Sequence, residues 1–274
     1  MTRHWAVILG ASVGTGAAVA REVARRPGLD IFGMHRGFHP DEARAVVADV
    51  EALGRRAVMA QGDAGTHAGA VAGAEALLAA AGPRSVKLFV HSLANASLGS
   101  IARPAEAQVS AAQVAKTFDS MAHSFVYWTQ ELMRRDLLAP EAQVLGLSNP
   151  LVDSLVRNGG LITATKAALE VYVRHLAYEL GPLGHRVNLL KFGAVVTAAM
   201  GTTFSGEAGN ALRDVLPRII PAGRMSTLEE VARFVAVLAG DDARWFNGAT
   251  IDFTGAQTQS LFDALVYPRR EPTS

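Results

Sequence analysis

Cysteine is absent from all 274 residues. Its absence excludes disulfide staples, thiolate metal sites and a cysteine nucleophile, and it makes a reducing cytoplasm the expected compartment. Neither sign of charge dominates: 26 Lys and Arg stand against 25 Asp and Glu, for a net charge of +1. No broad basic field is therefore offered to nucleic acid. Met1-Thr-Arg-His-Trp5 runs straight into an apolar segment without a charged leader, a long apolar stretch or a cleavage site, so neither export nor membrane insertion is expected. Repeats of about 20 to 50 residues and Gly/Ser-rich linkers are missing too. The polar, Pro-containing stretch Pro268–Ser274 reads as a frayed tail.

What is present is apolar. Half of the residues are hydrophobic and 19% are charged, a balance suited to strands covered on both faces. Short apolar runs at Trp5–Leu9, Ile31–Met34, Ala57–Ala60, Val86–Val90, Gln143–Leu147, Arg186–Leu190 and Ala249–Phe253 alternate with longer stretches of helical period. That order predicts an α/β fold, a Rossmann-like doubly wound parallel seven-stranded sheet with helices on both faces, in one domain over residues 1–274. The longest helices are expected at Ala107–Leu138 and Thr163–Leu180. The second carries Ala164, Ala167, Ala168, Val171, Ala177 and Leu180 as a small-residue face for the sheet or another subunit. Between Thr197 and Met225 glycines and prolines, Pro217 among them, interrupt the helical period, which suggests a substrate lid.

The first apolar run ends in Gly10-Ala11-Ser12-Val13-Gly14-Thr15-Gly16, and a helix-forming run follows at once. Glycines allow positive φ and close backbone approach, while free N–H groups at a helix start favour a pyrophosphate. The second strand ends in His35-Arg36-Gly37, with no carboxylate to receive adenosine ribose hydroxyls. A guanidinium suits a 2′-phosphate instead, so NADPH (NADP+) is expected over NADH.

The spacing Gly10-x-x-x-Gly14-x-Gly16 resembles that of the short-chain dehydrogenase/reductase family, and the resemblance covers nearly the whole chain. It implies that Asp63, followed by Ala64, contacts the adenine. His91-Ser92-Leu93-Ala94, Ser124-Phe125-Val126, Leu145-Gly146-Leu147-Ser148 and Lys166-Ala-Ala-Leu-Glu170 are similar to the enoyl-acyl-carrier-protein reductase branch. The resemblance makes Ser92, Leu93, Ala94, Gly193, Val195 and Thr197 further cofactor contacts. Lys166 is implied to hold the nicotinamide ribose, and Ser148 to act at the reaction centre. The family's tyrosine is missing, since Ile162 stands at the commoner position and Gly159 at the enoyl-reductase position. Met121 stands near the place of the family's helix asparagine, and Thr254 replaces a usual Asp. His123 and Asn149 are the candidate replacements for the phenol, and Lys191 has no counterpart in the pattern.

These readings lead to an NADPH-dependent reductase of an activated C=C bond, in an enoyl thioester or enone. Such a reaction leaves a delocalised enolate that needs a strong acid less than an alkoxide does. The alternatives are a carbonyl reductase with an unusual proton donor and a non-catalytic dinucleotide-binding sensor or scaffold. The expected partners are a small-molecule or acyl-thioester substrate and copies of the same chain, as a homotetramer or homodimer built on the two long helices. No metal, nucleic acid or membrane partner is expected.

Overall fold

Strand β1, Trp5–Leu9, is buried at all five positions, as a strand must be when both faces of its sheet are covered. Trp5, Val7 and Leu9 enter one core with Phe89, Phe125 and Trp128, while Ala6 and Ile8 enter a second with Val19, Val23 and Val50. The two cores lie on opposite faces because successive side chains of a strand alternate. The computed structural model that shows this describes residues 3–196 and 206–267.

The order along the chain is β1, α1 (Gly14–Arg25), β2 (Asp30–His35), α2 (Pro40–Ala52), β3 (Ala57–Gln61), α3 (His67–Ala81), β4 (Val86–His91), α4 (Ala111–Phe118), α5 (Ser124–Arg134) and β5 (Leu138–Ser148). Then come α6 (Gly160–Leu180), β6 (Arg186–Phe192), α7 (Gly206–Ile219), α8 (Leu228–Leu238), β7 (Thr250–Phe253) and α9 (Leu261–Val266). The strands form one parallel sheet in the order β3-β2-β1-β4-β5-β6-β7, a Rossmann-like doubly wound arrangement. The order reverses between β1 and β4, and the carboxyl ends of these two strands open the crevice in which such folds place ligands.

Three elements differ from the expectation. The helix expected over Ala107–Leu138 is α4 and α5 joined by a π-helical turn, Asp119–His123, and it stops at Arg134. Strand β5 begins five residues before Gln143, and its register with β4 shifts between Val86 and Leu88. Pro140 disguised that extension, because a proline argues against a central strand. Helix α7 runs through Pro217, which forfeits one N–H rather than ending the helix. Residues 197–205 of the expected lid lie outside the described residues.

Helix α6 buries Leu161, Thr165, Leu169, Val173, Ala177 and Leu180. Ala167 and Val171 are exposed and Ala164 and Ala168 half-buried. The small residues therefore divide: Ala177 and Leu180 face the sheet, and the other four turn away from it.

Candidate active site

The end of β1 is crowded by β4. A Cβ on Gly10 would stand 2.5 Å from the Ser92 carbonyl oxygen, and Gly10 has φ +77°. Only glycine meets both demands. Gly16 serves packing: a Cβ there would come within 2.2 Å of the Gly10 carbonyl oxygen, so helix α1 lies directly on the turn. Gly16 is accordingly not a wall of the cleft that opens here, whereas Gly10, Ser12, Val13, Gly14 and Thr15 are. Val13, the cap of α1, makes no side-chain hydrogen bond, and the first turn of α1 holds no acid. Its N–H groups are thus left for an anion, and the positive end of the helix favours one. A dinucleotide pyrophosphate fits this cradle.

One end of the cleft, which measures about 620 Å³, is walled by His35, Arg36, Asp63 and Ala64. Arg36 has no ion pair among the described residues, and its guanidinium carbon lies 5.0 Å from the centre of the Phe38 ring. His35 accepts the Gly37 N–H through Nδ1 at 3.2 Å, and burial holds its pKa below the usual histidine value. The imidazole is therefore neutral near pH 7, and the cation at this end is Arg36. Asp63 accepts the Gly65 N–H at 2.9 Å in a turn, while the cap of α3 is Thr66. Trp128 fixes the same turn by donating Nε1–H to the Ala64 carbonyl at 3.0 Å.

The other end gathers Ser92, Leu93, Ala94, Met121, Ser148, Asn149, Ile162, Lys166, Gly193 and Val195 from five different parts of the chain. Lys166 is 4% exposed and donates from Nζ to the Leu147 carbonyl at 2.8 Å. Burial lowers its pKa to about 8. Ser148 is buried and its Oγ has no hydrogen-bond partner, so a substrate oxygen can take its hydroxyl. Asn149 accepts the Leu151 N–H at 3.1 Å and starts a short 3₁₀ turn with Pro150. Its side-chain oxygen is thereby engaged in the turn. Beneath this end lies His91, fully buried, with Nε2 2.8 Å from Ser124 Oγ. Ser124 donates its own proton to the Ser120 carbonyl, so His91 carries its hydrogen on Nε2 and leaves Nδ1 without a partner. Burial first, and the charge of Lys166 second, push the His91 pKa down to about 3.

His123 is not part of the cleft. The π turn directs its ring outward, where Nδ1 lies 3.0 Å from the Tyr172 hydroxyl and the ring meets Phe118 and Tyr127. Tyr127 donates to Asp119 at 3.1 Å, and Tyr178 and Tyr267 are exposed. None of the four tyrosines lines the cleft. Thr197 lies outside the described residues. Lys191 pairs with Asp153 at 2.5 Å and Asp252 at 3.6 Å. Burial opposes its charge, yet the bond to Asp153 and the nearby carboxylates hold its pKa above the ordinary lysine value.

A family model described as enoyl-(acyl carrier protein) reductase matches residues 10–255. The chain is a short-chain dehydrogenase/reductase. An uncharacterised oxidoreductase of Methylorubrum extorquens is 31% identical to this short-chain dehydrogenase/reductase over 250 residues, covering 91% of this chain and 96% of that one. The 1-cyclohexenylcarbonyl-CoA reductase of Streptomyces collinus is 27% identical over 92% of this chain and 86% of its own. Among solved structures, a short chain dehydrogenase from Burkholderia cenocepacia in complex with NADP superposes with a TM-score of 0.81, at 24% identity, over 94% of this chain and 98% of that one. This short-chain dehydrogenase/reductase is thus an NAD(P)H-dependent oxidoreductase. No helix among the described residues is long and apolar enough to cross a membrane, and no group of metal-ligating side chains occurs among them.

One cleft residue had no signal in the sequence. Gln257, four residues beyond β7, folds back so that its Oε1 accepts the Ala194 N–H at 3.1 Å. No motif or spacing marks it, because only the path of the chain after β7 brings it there. Leu212 and Leu216 of α7 likewise join the wall, inside the segment expected to be a lid.

Proposed function

We propose that this chain reduces an activated C=C bond, in an enoyl thioester or enone, with NADPH as the reductant. The observation that carries the reading is the chemistry of the reaction end, where the Ser148 hydroxyl and the Lys166 ammonium stand beside Ile162, with no phenol lining the cleft. NADPH, when bound, supplies hydride to the β carbon. Negative charge then spreads to the carbonyl oxygen, which can take a hydrogen bond from Ser148, and Lys166 adds positive potential from its buried position. The α carbon is protonated by water. Together the hydride and this proton saturate the bond. A ketone would instead leave a localised alkoxide, for which a positioned acid is worth roughly 10²–10⁴-fold in rate, and among the described residues no phenol lines the cleft to supply it. The name of the Streptomyces collinus relative, a cyclohexenylcarbonyl-CoA reductase, supports the enoyl reading.

The preference for the phosphorylated cofactor rests on Arg36, which has no ion pair among the described residues, and on the absence of an acid at the end of β2. An oligomer is proposed on α4–α5 and α6, where the outward Ala167 and Val171 leave room for a second helix. Light scattering of a micromolar solution tests that assembly; a monomer would refute it.

The test of the activity follows NADPH absorbance with matched pairs of enones and ketones that share one carbon skeleton. Faster oxidation with the enones is expected. Turnover of the ketones alone would replace the reading by carbonyl reduction, and tight NADPH binding without turnover of any carbonyl compound would point to a sensor or scaffold.

A further inference from the structure

The two ends of the cleft differ in kind. His35, Arg36, His39 and Asp63 all wall one end, whereas Lys166 is the one charged side chain at the reaction end among the described residues, and its Nζ is already held by a backbone carbonyl. Around the reaction end, Met121 arrives from the π turn, Ile162 from α6, Phe192 from the end of β6, and Leu212 and Leu216 from α7. Two of these, Met121 and Ile162, stand where the family resemblance implies polar side chains. The apolar wall also continues outward. Leu98 and Val156 line the cleft yet remain 42% and 36% exposed. The loop that bears Leu98 rests on the start of α6, since Ile101 Cδ1 lies 2.5 Å from where a Cβ on Gly160 would be.

Resting on the reductase reading, we infer that the substrate carries its reacting bond on an uncharged hydrocarbon ring or chain, packed between Met121, Ile162 and α7 and extending past Leu98 and Val156. A hydroxyl or carboxylate on the part of that body packed against Met121, Ile162, Leu212 and Leu216 would lose its water to apolar side chains, whereas each methylene buried there is favourable. Ser92, Asn95, Ser120, Ser148, Asn149 and Gln257 also line the cleft and supply its polar contacts, so the body is assigned to the apolar stretch alone.

The test is a matrix of carbonyl compounds: enones and ketones, each with unsubstituted, alkylated, hydroxylated and carboxylated bodies. KM should fall about threefold to fourfold per added methylene until the cleft is full, and hydroxylated or carboxylated bodies should bind at least about tenfold more weakly. Titration calorimetry of the saturated products into the NADP+ complex reads the same order without turnover. Leu98→Asp and Val156→Asp, at exposed positions that do not support the core, should flatten the chain-length series and leave the dissociation constant of NADPH unchanged. A flat series in the wild-type protein, or hydroxylated bodies bound as well as alkylated ones, would overturn the inference. Ketones reduced with a steep chain-length dependence would sink the C=C reading alone, and enones reduced with none would sink the substrate body alone.

Discussion

The two ends of the cleft answer to different parts of the sequence. The adenosine-side end is built from consecutive residues at strand ends, Gly10–Thr15, His35–Arg36 and Asp63–Ala64, so local spacing reports it. The reaction end is assembled from a π turn, a 3₁₀ turn, the start of α6, the end of β6, helix α7 and a residue beyond the last strand. Its composition therefore emerges only when the chain is folded. On the proposed reading, the contrast teaches that the cofactor grip depends on backbone and short turns, whereas substrate choice depends on which distant side chains the sheet brings together.

Replacing Lys166 should break the reaction end most severely. Lys166→Ala is expected to lose at least about a hundredfold in kcat/KM, while Tyr→Phe at 127, 172, 178 and 267 should each stay near wild type. One phenylalanine variant with a comparable loss would mean that a phenol reaches the substrate after all. The charged form of Lys166 predominates below its lowered pKa of about 8. With NADPH as the varied substrate, kcat/KM reports the enzyme before the cofactor binds, and it should be level below that pH and decline above it as the ammonium loses its proton.

Arg36 sharpens the comparison from the other side. A charge-assisted bond to a 2′-phosphate is worth about 1.5–3 kcal/mol, so Arg36→Ala should weaken NADPH roughly 10- to 100-fold and leave NADH within about twofold. Fluorescence titration of both cofactors decides this, and an equal loss for the two would remove Arg36 from phosphate recognition. Because His35 stays neutral near pH 7, acidification from pH 8 to 7 should not improve the selectivity.

His91, beneath the reaction end, gives a smaller effect that thermal melts can read. Its pKa is about 3 in the folded protein and 6.5 when unperturbed. The unfolded chain therefore takes up a proton in that window and the folded one does not. Stability from this group is full above pH 6.5, is lost as the pH falls towards 3, and has no further to fall below that. The loss is about 1.4 kcal/mol per pH unit, or about 3 °C in Tm. His91→Asn should melt lower than wild type at pH 7 but with a shallower acid slope. Identical slopes would show that the ring is not kept neutral by burial.

The smallest expected effect belongs to Gln257. Gln257→Ala removes the acceptor for the Ala194 N–H, and KM should rise about threefold to fivefold with kcat little changed, as expected for one neutral hydrogen bond. Gln257→Glu keeps an acceptor and should restore most of the affinity. A fall in kcat instead of a rise in KM would place the residue at the reacting atoms.

The sheet was legible because buried parallel strands are short apolar runs, and each of the seven runs became a strand. Where local signals conflicted with tertiary demand, the reading slipped. Pro140 hid the first five residues of β5, and Pro217 suggested a break where α7 continues. His123 looked like a neighbour of the chemistry because it precedes a family-like Ser-Phe-Val, yet helical geometry turned it to Tyr172. Ser148, Asn149 and Lys166 do meet in one cleft, since strand ends and the first turns of helices share the carboxyl edge of the sheet. Gln257 had no periodicity, charge or motif to announce it.

The π turn at Asp119–His123 also has a meaning for how the chain can vary. A π turn holds one residue more than an α turn, so α4 and α5 are out of phase by one position, or about 100° of rotation. Residues after Ser124, such as Phe125, Trp128 and Leu132, are tuned to the core, while Ser120 and Met121 are tuned to the cleft. Deleting a single residue there would bring the two segments back into phase and turn one set of side chains away from its target. The cleft wall and the hydrophobic core are thus independent inscriptions on one helical rod, separated by a single extra residue.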